Sequence, residues 1–240
     1  MKICICMSQT ENIKAYSSLT EKINKEYAYH HDYDFKMFNE IMTDRAPQWC
    51  KIKVINELLN DSKYDYLFWI DADAYFNKKE IKLESFINED IDKNIIICDD
   101  IVNSGKDNTI NSGTFFVKCT DWSKEFFKKI WEYSGKYRYD YFHEQTIIEN
   151  YLKDNIMECR SHIVIKPCRY FNTEINLQLL DNSIHDNFII HLMGKSSEFR
   201  VDFINKYTTI TRTKFKNYFM YFIIISLVIF FIFLLVQKFT

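Results

Sequence analysis

The sequence predicts an α/β fold: a mainly parallel central sheet flanked by helices, followed by a C-terminal transmembrane helix. Three observations carry this. Short apolar segments of strand length alternate with helix-length stretches whose apolar residues recur at helical spacing. One segment, "YLFWIDAD" (66–73), is too apolar to be half exposed and reads as a central strand of a largely parallel sheet. Residues 218–236 carry no charge over about the ~30 Å thickness of a bilayer core.

The elements follow in order. Residues 2–7 form a first buried strand, and the polar stretch from Ser8 to Asn12 opens a helix that runs to about Tyr27. Residues 33–39 are a second strand. Pro47 suits the first turn of a helix whose Ile52, Ile55 and Leu59 share one face. Residues 94–100 repeat the pattern of an apolar strand ending in acids, and 111–118 form another strand. That strand leads into a helix starting near Thr120 or Asp121, with Trp122, Phe126, Phe127, Ile130 and Trp131 on one face. A helix over about 142–152, a strand over 162–167 and a last strand over 187–194 complete the order. Domain boundaries are expected at 1–195 for the α/β domain, 196–213 for a polar, basic tether and 214–240 for the anchor.

Composition narrows the function classes. With 47% hydrophobic and 27% charged residues, 240 residues make one ordinary globular domain with a sizeable core. A net charge of −2 without a basic stripe argues against a nucleic-acid binder. Seven cysteines at irregular spacing, several inside apolar runs (Cys4, Cys6, Cys98), read as buried thiols in a reducing compartment. Abundant Ile, Asn, Lys, Tyr and Phe fit AT-rich coding such as that of some large viruses and protists. No secretory signal opens the chain, so the apolar run near its end is expected to act as a single-pass tail anchor. Lys214 and Lys216 before it place the α/β domain on the cytosolic side; a lumenal Golgi or ER placement is the alternative.

The chemistry concentrates where the apolar Leu67–Ile70 runs into Asp71-Ala72-Asp73. On a strand, residues two apart point to the same side, so the two carboxylates are expected to project together beyond the strand's carboxyl end. Ligands of open α/β sheets bind there. Two adjacent carboxylates repel unless a cation joins them, and a hard divalent ion commonly bridges such a pair to nucleotide phosphates. A plain strand cap is the bland alternative. Late in the chain, "FIIHLMGK" also runs apolar into His191, followed by Gly194 and Lys195, a backbone amide and an ammonium suited to phosphate oxygens. Two carboxylates, an imidazole and a diphosphate make a shell for Mn²⁺, although a lone histidine is more often a hydrogen-bonded core residue.

The blocks "WCKIKVINELLNDSKYDYLFWIDADAYF", "NSGTFFVKCTDWSKEFFKKIW", "HEQTIIENYL", "FNTEINL" and "FIIHLMGK" follow in order the motif series of glycosyltransferase family 34, which the chain resembles over nearly the whole part that precedes the expected membrane span, residues 1–213. The resemblance implies a GT-A fold and a nucleotide-diphosphate sugar, UDP- or GDP-linked, as donor to a glycan or other hydroxyl acceptor. It implies Mn²⁺ or Mg²⁺ on Asp71, Asp73 and His191, and diphosphate contacts from Gly194 and Lys195. Glu144 and Gln145 would face the donor sugar, and Asn111, Ser112 and Gly113 would lie near donor and acceptor. Cys6, Met7 and Ser8 would line the nucleoside pocket. Family members usually carry an N-terminal anchor, whereas the anchor expected here is C-terminal, and most are longer.

The chemistry would be electrostatic: the cation, helped by Lys195, offsets charge on the departing diphosphate. Inversion would require a carboxylate base, whereas the family is retaining and lets the leaving phosphate take the acceptor's proton. Glu144 would then stabilise positive charge or orient sugar hydroxyls, and its alternative is an acid favoured at a helix N-terminus. Asp99 and Asp100 read as a solvated turn, and Trp49, Trp122 and Trp131 as core. Two rivals remain at this level: a haloacid-dehalogenase-like phosphatase, whose nucleophile motif is also strand then D-x-D, and a catalytically inactive membrane-tethered nucleotide-sugar-binding module.

Overall fold

The structure, a computed structural model, describes residues 1–39, 42–100, 109–139, 142–175 and 186–207. Met1–Ser197 form one compact unit and Glu198–Thr240 a second. In the first, a six-stranded sheet has the order β2-β1-β3-β6-β5-β7, formed by β1 (Ile3–Ser8), β2 (Asp34–Phe38), β3 (Tyr66–Ile70), β5 (Ile95–Cys98), β6 (Asn111–Lys118) and β7 (Ile163–Lys166). A second, three-stranded sheet joins β4 (Ala74–Phe76), β9 (Ile189–His191) and β8 (Thr173–Glu174) in the order β4-β9-β8.

Each strand of the main sheet sends alternate residues to opposite faces, and both faces are covered. Cys4, Cys6, Leu67, Trp69, Ile95, Ile97, Phe115 and Val117 pack with helices α2 (Cys50–Asn60), α4 (Asp121–Glu132) and α5 (His143–Lys153). Ile3, Ile5, Met7, Phe68, Ile70, Ile96 and Phe116 pack on the other side with α1 (Lys14–His30), α3 (Leu83–Glu89) and the small sheet. Fully buried rings such as Trp69, Phe68 and Phe116 are the groups whose burial stabilises most, about 1.5–3 kcal/mol for a large side chain. All five residues of β3 are buried, as a central strand requires.

The expected mainly parallel sheet is a mixed one. β2, β1 and β3 are parallel, β6 is antiparallel to both β3 and β5, and β5 is parallel to β7. An apolar run reads alike in either direction, so this reversal has no local signature. Strands β4 and β8 and helix α3 were not anticipated either, being three, two and seven residues long. Where a β6-like strand and the α4 start were expected, they stand: Thr120 caps α4, its Oγ1 accepting from Ser123 N–H at 3.2 Å.

All seven cysteines are free thiols and six are buried. In the second unit residues 198–207 are helical, with Phe199 and Phe203 stacked at 5.6 Å. Among the described residues no helix is long and apolar enough to cross a membrane; the span expected at 218–236 lies outside them.

Candidate metal and nucleotide-sugar site

β3 ends at Ile70, so Asp71 and Asp73 stand in a turn rather than on a strand. Ala74 N–H donates to Asp71 C=O at 3.0 Å and closes this turn into β4. Asp71 N–H still donates to Gly113 C=O at 2.8 Å, continuing the β3–β6 ladder by one residue. Helix α1 clamps the turn from below: Thr20 Oγ1 donates to Ala72 C=O (2.6 Å), Asn24 Nδ2 to Ala74 C=O (3.0 Å), and Asn24 Oδ1 accepts from Phe76 N–H (3.1 Å). Thr20 and Asn24 are fully buried. Their signal was a polar series, Ser17, Thr20 and Asn24, recurring at helical spacing in line with the buried Tyr27.

The small sheet brings in the imidazole. β4 and β9 pair antiparallel with Ala74 opposite His191, and Leu192 N–H donates to Asp73 C=O at 3.0 Å. His191 Nε2 thus lies 3.2 Å from Asp73 Oδ1 across 118 residues of chain. Asp71, Asp73 and His191 each offer an atom within 4.8 Å of the others. Their side chains are 32%, 13% and 4% exposed respectively, so the cluster opens to solvent on the Asp71 side.

The donor set fits a divalent cation. Burial is the largest influence on Asp71 and, with Asp73 beside it, holds its carboxyl above the usual range against the pull of Lys51 and His191. Burial acts to push His191 down, but Asp73 and Asp71 outweigh it and raise the ring's proton affinity above its ordinary value. A pocket that draws a proton onto a buried imidazole is one that draws positive charge. Trp69 Nε1 (2.6 Å) and Lys51 Nζ (3.3 Å) both approach Asp71 Oδ1, leaving Oδ2 as the oxygen not already taken among the described residues.

The register of β5 against β6 shifts between Ile97, opposite Phe115, and Cys98, opposite Asn111. Ser112–Thr114 therefore leave β5 and swing toward the acidic turn. Here Gly113 is required by close approach: a Cβ built on it would stand 2.1 Å from His191 Cε1. Asn111 Oδ1 accepts from Gly113 N–H at 2.9 Å. Ser112 faces the start of α5, its N–H donating to Gln145 Oε1 (3.1 Å) and its Oγ to Glu144 Oε1 (2.9 Å).

Lys51 ties these pieces together. Its ammonium donates to Glu144 Oε1 (2.8 Å) and Ser112 C=O (2.7 Å) as well as approaching Asp71. Burial lowers its proton affinity, yet Asp71 and Glu144 more than restore it and hold it above the ordinary lysine value. Sequence reasoning missed this residue. Its signal was position: Lys51 lies at i−3, i−4 and i−7 from Val54, Ile55 and Leu58, on the buried face of α2, where an unpaired lysine is rare.

The remaining expected site residues divide. Cys6 and Met7 are fully buried, one on each face of the sheet, so neither side chain lines a pocket; alternation at the strand end turns both into core. Ser8 is partly exposed. Just beyond it Gln9, Thr10, Glu11, Lys14 and Asn39 line a cavity of about 220 Å³. Gly194 adopts φ +68° in the turn after β9, and Lys195 N–H approaches Leu192 C=O at 3.4 Å. Asp99 and Asp100 are not a solvated turn: Asp99 Oδ1 accepts from Cys168 N–H at 2.6 Å and Asp100 is buried. Trp49 is fully buried, and Trp122 and Trp131 pack against the same core.

The profile of a family described as nucleotide-diphospho-sugar transferase matches residues 13–218. No curated protein matches the sequence. Among solved structures, similarity extends to a glycosyltransferase involved in the glycosylation of the major capsid of PBCV-1, with TM-score 0.71 and 17% identity over 86% of this chain and 100% of that one. GlyE of Streptococcus pneumoniae TIGR4 gives TM-score 0.54 and 12% identity over 88% and 64%. The galactosyltransferase LgtC gives 0.51 and 12% over 85% and 95%. At such identities the likeness is one of fold, and it is a glycosyltransferase fold of the GT-A type.

Proposed function

The chain belongs to the nucleotide-diphospho-sugar transferase family, and from that premise we propose a cation-dependent glycosyltransferase that moves a hexose or pentose from a UDP- or GDP-linked donor to a hydroxyl of a glycan, with retention at the anomeric carbon. One observation carries the reading: Asp71, Asp73 and His191 converge within 4.8 Å at the carboxyl end of the central strand. In this reading they hold Mn²⁺ or Mg²⁺, which when bound supplies charge neutralisation for a departing diphosphate. The phosphatase alternative does not survive the family match, and Asp99, its second acid, is committed to capping Cys168.

The chain's own residues take the following parts. Gly194 and Lys195 contact the diphosphate. Ser8 lies toward the nucleoside, with Gln9 and Asn39 beside it. Asn111, Ser112 and Gly113 form the wall next to the donor sugar. Glu144, fixed by Lys51 and Ser112, presents negative charge where positive charge grows on the sugar ring. Both of those bonds fall on Glu144 Oε1 and hold the carboxylate in place; in the retaining course the leaving phosphate, not this carboxylate, takes the acceptor's proton.

The test is a panel of nucleotide sugars incubated with the full chain and Mn²⁺, reading release of nucleoside diphosphate. One donor should be turned over, and removing the cation should stop it. Asp73→Ala should abolish metal-dependent nucleotide binding with the fold intact; turnover unchanged in that variant removes the site. Donor binding without any turnover would instead identify an inactive binding module.

A further inference from the structure

A buried line of amides runs from the β6 backbone to His191. Gly113 N–H and Asn172 Nδ2 both donate to Asn111 Oδ1, at 2.9 and 2.8 Å, and Asn172 Oδ1 lies 2.8 Å from His191 Nδ1. Asn172 is fully buried. The oxygen and nitrogen of a side-chain amide are told apart only by their partners, and this line begins at a partner with one possible role. A backbone N–H donates and never accepts, so the Asn111 atom facing Gly113 is its oxygen. The Asn172 atom facing that oxygen is therefore its NH₂, and the atom it turns to the ring is its oxygen. An oxygen against Nδ1 requires a proton on Nδ1.

We infer that Asn172, held in orientation by Asn111, is a positioning residue that fixes neutral His191 as the Nδ1–H tautomer and keeps the Nε2 lone pair available to a divalent cation. The need for such a device is visible at the other nitrogen. Nε2 lies 3.2 Å from Asp73 Oδ1, a carboxylate that would accept a proton-bearing Nε2 and occupy both groups with each other. Gly113 leaves the ring room to reach this line, since a Cβ there would stand 2.1 Å from His191 Cε1. Outer partners of this kind orient histidine ligands and set their tautomer.

This inference rests on the cation-dependent reading of the same site, and its test separates the two. In the metal-free full chain with ¹⁵N-labelled histidine, long-range ¹H–¹⁵N correlation at a pH where the ring is neutral should show His191 protonated at Nδ1. Asn172→Asp, which retains an acceptor, should keep that pattern. Asn172→Leu should shift it to Nε2–H and weaken Mn²⁺ binding, measured by electron paramagnetic resonance of the free ion, by about 10–100-fold. A wild-type ring carrying its proton on Nε2 overturns the inference whether or not the variants fold, and so does an Asn172→Leu protein with unchanged tautomer and affinity. A wild-type chain with the Nδ1–H ring that binds no Mn²⁺ sinks the proposed function, while the tautomer assignment stands.

Discussion

Lys51 stands 3.3 Å from Asp71 and 2.8 Å from Glu144, buried with Glu144 behind the acidic turn. Its removal leaves Glu144 buried without its cation and takes the ammonium from Asp71, and breaking a buried pair from one side costs about 3–5 kcal/mol. Lys51→Met is accordingly expected to lower unfolding free energy by that amount in chemical denaturation, and a loss below about 1 kcal/mol would show the network to be weak. Gly113 acts through shape. The methyl of Gly113→Ala would meet His191 Cε1 at 2.1 Å, so the ring has to move, and Mn²⁺ affinity by calorimetry should fall about 10-fold or more. An unaltered affinity would mean the ring has room that the structure denies it. At this scale the sequence exposed the carboxylates because they interrupt an apolar run. It hid Lys51, Thr20, Asn24 and Asn172, whose partners lie on other elements.

Elements were legible in proportion to their length and periodicity. β1, β3, β5 and β6 are apolar runs bounded by polar residues, and α2 and α4 carry helical stripes. β8, two residues long, has no periodicity to read, and the direction of β6 is set by its neighbours. The edge of the main sheet yields a pH prediction. Asp34 opens β2 and accepts from Lys63 Nζ (2.6 Å) and Tyr64 Oη (2.7 Å) in the segment leading to β3. Those two bonds, Lys63 first, hold its carboxyl below the ordinary 3.8. The folded value being depressed, the stabilisation is complete above pH 3.8 and lost as pH falls through the lower folded value. Half-exposed groups of this sort contribute little, so Asp34→Ala should cost under about 1 kcal/mol at pH 7. The gap to wild type in denaturant midpoint should close below the folded value; a gap that persists there would assign the loss to packing.

At the scale of the whole molecule, the acidic turn brings two carboxylates and an imidazole within 4.8 Å of one another, a set suited to a divalent cation. A cation bound by Asp71, Asp73 and His191 in the native state alone adds RT ln(1 + [L]/Kd), about 2.7 kcal/mol at one hundred times Kd. For a domain of this size that amounts to a rise in Tm of several degrees. Thermal unfolding of the full chain with and without Mn²⁺ should show it, and Asp73→Ala should not; an equal rise in both would place the ion elsewhere.

Strands, helices and the acidic tip of β3 are written in patterns only a few residues long: apolar runs, helical stripes and a pair of carboxylates one residue apart. They could be read before any fold was known, because the forces behind them act between near neighbours. The mixed direction of the sheet, the turn that holds Asp71 and Asp73, the lysine behind them and the amides behind His191 emerge only from packing. His191 reaches Asp73 across 118 residues because β9 pairs with β4 in one register. That register is chosen by burial shared among distant strands, which no single stretch of the chain contains.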